Sequence, residues 1–193
     1  MYLGGFRMMA SVLTDSLERS PVISAVQDNL FSEALAAPTE VIFYLKANIL
    51  TVKGKIEAAH KAEKLIFIHI DLAEGIGKDR SGVEFLKNAG ADGIISTKGA
   101  LIKHANELGL ITVQRFFALD SQGLRNMPEL IELSKPDMVE IMPGVIGKII
   151  KRLSLGKTPI ISGGLIDSKE EVTTALSCGA VAVSTGAEDL WYI

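Results

Sequence analysis

Short apolar runs recur along this chain at 22–25, 41–45, 65–70, 93–96, 110–114, 138–142, 159–162 and 181–184. Turn residues bound each run, and successive runs lie roughly two dozen residues apart, the spacing of strand-plus-helix units. Between them the apolar period lengthens to that of a helix, as at 81–88, 101–108 and 145–153. The last of these repeats Ile146, Ile149, Ile150 and Leu153, the spacing of one helical face. Ser168-Lys169-Glu170-Glu171 has the capping-box spacing and predicts the helix of the seventh unit. Runs that are apolar on both faces predict a parallel sheet covered by helices. Eight of them favour closure into a compact (β/α)8 TIM-like barrel over an open doubly wound sheet.

The ends of the chain modify that picture. Segment 9–19 places Val12, Leu13 and Leu17 at helical spacing. Residues 1–19 therefore read as an N-terminal helical extension that covers a gap or plugs the barrel floor. The chain stops soon after the eighth run, at Trp191-Tyr192-Ile193, which predicts a truncated eighth helix. Gly90–Thr97 echoes Gly179–Thr185 four units later. That echo reads as repeated loop chemistry, a glycine ending one helix before the next strand, in preference to half-barrel duplication.

Composition adds limits. The 193 residues suit one domain, 1–193, and 48% are hydrophobic but only 6% aromatic, so the core must come from Ile, Leu, Val and Ala. A net charge of −3 argues against a strongly basic nucleic-acid binder. The single cysteine, Cys178, permits no internal disulfide and suggests a reducing cytoplasm. No secretory signal and no run of membrane-spanning length is read. The expectation is a cytoplasmic protein; a homo-oligomer stays open.

The candidate chemistry sits where the apolar runs break into small or polar residues. Ser162-Gly163-Gly164 and Ser184-Thr185-Gly186 close the last two runs. Glycine allows a close backbone approach to an anion, and a helix N-terminus beyond it offers free amides and a favourable dipole. Paired turns after the seventh and eighth strands build the phosphate site of such barrels. These six residues are the expected phosphate site.

Earlier strand ends supply polar groups. His69 and Asp71 alternate onto one face, where they are candidates for contact with ligand hydroxyls or for an acid–base pair. Lys98 offers a point charge after the fourth run, and Gln114 and Arg115 offer a hydrogen-bonding amide and an anion contact after the fifth. Glu140 in the sixth needs a partner if it points inward, and Lys98 or Arg115 can supply it. His60 and His104 fall in helical segments and read as surface residues. No metal-ligand cluster, P-loop or dinucleotide fingerprint is present, so neither a metal nor a cofactor is expected.

An ordered series of segments resembles the glycerol-uptake operon antiterminator regulatory family, the glycerol-3-phosphate-responsive antiterminators. The segments are 68–72 with 74–79, 92–98, Gln114-Arg115, 119–121, Pro136-Asp137 with Glu140-Ile141, Pro143-Gly144, 163–166 and 182–185. Ser162 departs from the family's more usual alanine. The resemblance implies a TIM-barrel-like sensor of glycerol 3-phosphate that binds the leader mRNA of a glycerol-metabolism operon and permits antitermination. RNA binding needs a basic path, and the best candidate is Lys148, Lys151, Arg152 and Lys157, which equally reads as a solvated face. Two other readings stand beside it. One is an enzyme on a small phosphorylated metabolite, an isomerase or glycerol-phosphate transferase. The other is a degenerate barrel that binds metabolite and a protein partner.

Overall fold

A computed structural model describes residues 12–193. Eight parallel strands close into a barrel in sequence order: β1 (Val22–Val26), β2 (Val41–Tyr44), β3 (Leu65–His69), β4 (Gly93–Ser96), β5 (Ile111–Phe117), β6 (Met138–Met142), β7 (Ile160–Gly163) and β8 (Ala182–Thr185). β8 pairs back onto β1 with Ile23 against Ser184, which removes both sheet edges. Every predicted run became a strand. The largest difference is at β5, which continues through Arg115, Phe116 and Phe117.

All the helices but the first pack outside the barrel. α1 covers 12–19, followed by α2 (Phe31–Ala36), α3 (Val52–Lys61), α4 (Arg80–Ala89), α5 (Gly99–Glu107), α6 (Ser121–Ser134), α7 (Gly147–Leu153) and α8 (Lys169–Ser177). After β8 the chain makes a 3-10 turn, Glu188–Tyr192, where a full eighth helix would stand. Alternation along each strand divides the core in two. Ile42, Ile66, Ile94, Val139 and Val183 face the helices, in one cluster with Ile56, Leu86 and Ile150. Ile23, Phe43, Phe67, Ile95, Val113, Ile161 and Ala182 fill the barrel interior.

The lower end of that interior is closed by α1. Leu13 and Leu17, one helical turn apart, are 1% and 3% exposed and belong to the interior cluster with Val41, Ile111 and Met138. The plug reading therefore describes the helix over 12–19; the rest of the extension, 1–11, lies outside the described residues. Arg19 ties α1 to the approach of β2, donating from Nε and Nη2 to the two oxygens of Glu40 at 2.8 and 2.6 Å. Lys64 is buried nearby, its ammonium donating to the carbonyls of Ala37 and Thr39.

Helix ends explain the internal echo. α4, α5 and α8 each finish on a glycine in the left-handed region, Gly90 at φ 95°, Gly109 at 77° and Gly179 at 99°. The residue after each donates five positions back, as Ala91 to Leu86, Leu110 to Ala105 and Ala180 to Ala175. These are Schellman closures, repeated because each αβ connection must reverse the chain within two or three residues.

Candidate functional site

The strand C-termini open onto a cleft of about 970 Å³ lined from β1 and β2 round to β8. Register explains its base. Arg115 and Glu140 are directly opposed on β5 and β6, and Gly163 and Ser184 on β7 and β8. All four occupy inward positions of their strands. Arg115 donates from Nε to Glu140 Oε2 at 2.5 Å, and Ser184 donates to Glu140 Oε1 at 2.6 Å. Glu140 thus reaches across β7 to β8. That reach requires Gly163: a Cβ there would lie 2.6 Å from Glu140 Oε1 and 2.5 Å from Ser184 Oγ. Glu140 is fully buried and Arg115 is 7% exposed, so the pair satisfies the rule that a buried charge needs a hydrogen-bonded partner.

His69 ends β3 at an inward position, 3% exposed. Its Nδ1 is buried without a hydrogen-bond partner. Burial, followed by the nearby Arg115 cation, pushes the imidazole pKa down to about 4, against smaller opposing effects of Asp71 and Glu140. The ring is therefore neutral at pH 7 and keeps one donor and one acceptor nitrogen.

The two late turns differ from the expectation in one respect. Gly164 and Leu165 both take left-handed backbone, at φ 74° and 58°. This swings the chain away from β7 and exposes Leu165. The N-terminus of α8 is closed by its own capping box: Ser168 Oγ accepts from the Glu171 amide, and Glu171 Oε2 accepts from the amides of Asp167 and Ser168. After β8, the Ala187 amide donates to Thr185 Oγ1 at 3.0 Å. The amides of Leu165 and Gly186 find no acceptor among the described residues. What the turns offer an anion is therefore loop backbone, while the capping box takes the amides of Asp167, Ser168 and Glu171.

The other predicted residues divide between cleft and scaffold. Gly164, Ser184, Thr185, Gly186, Arg115 and Glu140 line the cleft. Ser162 faces outward and donates to the carbonyl of Gly144 at 2.9 Å. Thr185 spends its hydroxyl on the carbonyl of Ile166 at 2.7 Å. Gln114 corrects the expected ligand contact: alternation turns it toward the helices, where Ser134 donates to its Oε1 at 2.5 Å. Asp71 is likewise no partner of His69. It accepts from Ser96 Oγ, the Thr97 amide and Thr97 Oγ1 at 2.9, 2.7 and 2.9 Å, pinning the end of β4. Lys98 is exposed at the start of α5, outside the cleft lining, and Glu140's partner is Arg115. His104, expected on the surface, is half-buried and paired with Glu84 at 3.2 Å. Lys148, Lys151, Arg152 and Lys157 are exposed on α7 and the loop after it.

Sequence reasoning missed the opposite wall. Asp28, Lys46, Asn48 and Glu74 line the cleft from the loops after β1, β2 and β3. Lys46 pairs with Glu74 at 3.0 Å, and Tyr44 donates to Asp28 at 2.6 Å. The signal was a polar group straight after an apolar run, Lys46 and Asn48 behind 41–45. With Glu140 and Asp167, this wall gives the lining four carboxylates, and its two cations, Lys46 and Arg115, are both paired. An anion held here meets backbone amides and the guanidinium nitrogens of Arg115 that Glu140 leaves free. Among the described residues, no group of three or more His, Cys, Asp or Glu is arranged to hold a metal, and no helix is long and apolar enough to cross a membrane.

Comparison with known proteins places this geometry. Residues 22–191 match the family model of the glycerol-3-phosphate responsive antiterminator. The chain belongs to that family. The crystal structure of the glycerol uptake operon antiterminator regulatory protein from Listeria monocytogenes is 30% identical, with a TM-score of 0.84 over 88% of this chain and 94% of that one. A glycerol uptake operon antiterminator-related protein from Thermotoga maritima is 32% identical, with a TM-score of 0.80 over 89% and 98% of the two chains. The Escherichia coli protein YgcP is 35% identical across 91% of this antiterminator-family chain and 93% of its own length. An aldolase, QR15, shares the barrel at 11% identity and a TM-score of 0.70, a likeness of fold alone.

Proposed function

We propose that this chain is a cytoplasmic sensor of glycerol 3-phosphate that regulates glycerol-metabolism genes by antitermination, through binding of a leader mRNA, and needs no resident cofactor. The observation that carries the ligand is the pair of turns after β7 and β8, which leave the Leu165 and Gly186 amides without acceptors at the rim of a polar cleft. The phosphate sits on these turns, and the glycerol carbons extend toward Ser184, Glu140 and Arg115. The RNA is carried by kinship, together with the exposed basic face of Lys148, Lys151, Arg152 and Lys157. A mechanical link supports communication between the two. Gly144, which leads into α7, donates its amide to the carbonyls of Gly163 and Gly164 at 2.6 and 3.1 Å. Movement of the phosphate turn is thereby passed to the base of the basic helix. Such a switch requires the ligand to bind one state of the protein better than the other.

The rival is an enzyme acting on a small phosphorylated metabolite in the same cleft, with His69 and Glu140 as acid–base groups. The fold admits it, but no inward-facing strand position carries a lysine that could form a Schiff base. A titration of labelled leader RNA separates the readings. The sensor predicts an affinity that changes with glycerol 3-phosphate in the native protein, is steep in salt, and no longer responds to ligand in Gly164→Asp. Turnover of glycerol 3-phosphate without RNA affinity would contradict it.

A further inference from the structure

The base of the cleft has a donor and acceptor pattern that a phosphate site does not need. Arg115 donates only its Nε to Glu140, and its two terminal nitrogens find no acceptor among the described residues. Glu140 accepts one bond on each oxygen, from Arg115 and Ser184, leaving lone pairs on both. His69 Nδ1 is also buried and unpartnered, but it stands on β3 outside the cleft lining. The free Arg115 nitrogens and the Glu140 lone pairs face the same cleft, where a ligand group that both accepts and donates would fill them.

We infer that Arg115, Glu140 and Ser184 form a selectivity filter that reads the hydroxyl groups of the phosphoester and rejects its ketone and carboxylate analogues. This rests on the phosphate reading given above. A hydroxyl accepts from the free guanidinium nitrogens and donates to Glu140. A ketone oxygen accepts only, which leaves a Glu140 lone pair unfilled in a buried place. A carboxylate satisfies Arg115 but brings like charge against Glu140, and the lining holds no unpaired cation to offset it. The surplus of carboxylates along the cleft serves the same end, since carboxylates accept from hydroxyls and repel acids.

Isothermal titration calorimetry of the full chain tests this with glycerol 3-phosphate, dihydroxyacetone phosphate, 3-phosphoglycerate and inorganic phosphate. The expected preference for glycerol 3-phosphate over the ketone and the acid is about tenfold or more, the cost of one unfilled buried group. In Glu140→Gln, whose amide can donate to a ketone oxygen, that preference for the alcohol over the ketone shrinks to about threefold or less. Inorganic phosphate is titrated against the same variant, so that a change in the phosphate turns is told apart from a change in hydroxyl reading. His69→Gln, which alters a buried group outside the cleft lining, retains the preference. Melting curves verify that each variant is folded. Equal affinity for alcohol and ketone in the native protein, or an unchanged ratio in Glu140→Gln, overturns the filter while leaving phosphate binding intact. Failure of inorganic phosphate and all three esters to bind overturns the phosphate reading and the filter with it.

Discussion

Gly163 and Gly164 are adjacent but do different work. Gly163 is small because Glu140 passes over it to Ser184, whereas Gly164 must adopt left-handed backbone. Gly163→Ala is therefore expected to lower stability by about 1–3 kcal/mol, through overpacking and a broken buried network, and to weaken ligand binding with it. Melting and calorimetry on the same sample check both. Gly164→Asp is expected to fold, because the atom its Cβ approaches is the mobile methyl of Met142 and Asp tolerates this conformation. Its added charge should abolish phosphate binding. His69 gives a pH signature. In the unfolded chain its imidazole takes a proton near pH 6.5, and in the folded chain not until about 4, held down by burial and Arg115 against Asp71 and Glu140. The unfolded state then binds more protons across that window, so stability falls as pH drops through it. Melting temperatures between pH 7 and 4 should fall less steeply in His69→Gln than in the native protein. Arg115, Glu140 and the late glycines were legible because strand alternation and apolar runs fix their faces. Gln114 was misread as a ligand contact because β5 was ended too early, although Ile111 and Val113 inward already imply Arg115 inward and Gln114 outward.

At the level of elements, the helix ends carry the turn chemistry. α3 closes with the same bond pattern as α4, α5 and α8, Lys64 donating to Ala59, but the left-handed position is held by Glu63 at φ 57°. An L side chain there is strained, whereas glycine is not. Glu63→Gly should stabilise the protein by about 0.5–1 kcal/mol, and Gly90→Ala should destabilise it by a similar amount, both read by urea unfolding. The capping box at Ser168 and Glu171 was visible in four residues of sequence and formed as expected. Its consequence for the site was not visible, because it follows from how Glu171 folds back onto the amides of Asp167 and Ser168 just before α8. The late turns thus present the loop amides of Leu165 and Gly186 to the cleft. The Lys46–Glu74 wall escaped the reading for a related reason: two polar residues in separate loops meet only when the barrel brings β2 beside β3.

For the whole molecule, closure separates a stability end from a ligand end. The lower end is sealed by Leu13 and Leu17 and by the Arg19–Glu40 pair, and the upper end carries every cleft residue. Removal of residues 1–19 uncovers the interior cluster. It should cost several kcal/mol, on the scale of two large-to-small core changes, and appear as a marked fall in melting temperature. An unchanged melting temperature would show that α1 is dispensable. Eight strands and their order were legible because each run is apolar on both faces and bounded by turn residues. The plug was legible as one of two alternatives, since helical spacing at Leu13 and Leu17 does not say which surface the helix covers. The central claim is that the turns at Gly164–Leu165 and Gly186 grip the phosphate of glycerol 3-phosphate. A crystal soaked with that ligand tests it most directly: phosphate density within hydrogen-bond distance of the Leu165 and Gly186 amides is the predicted result, and ligand bound elsewhere with both turns empty would contradict it.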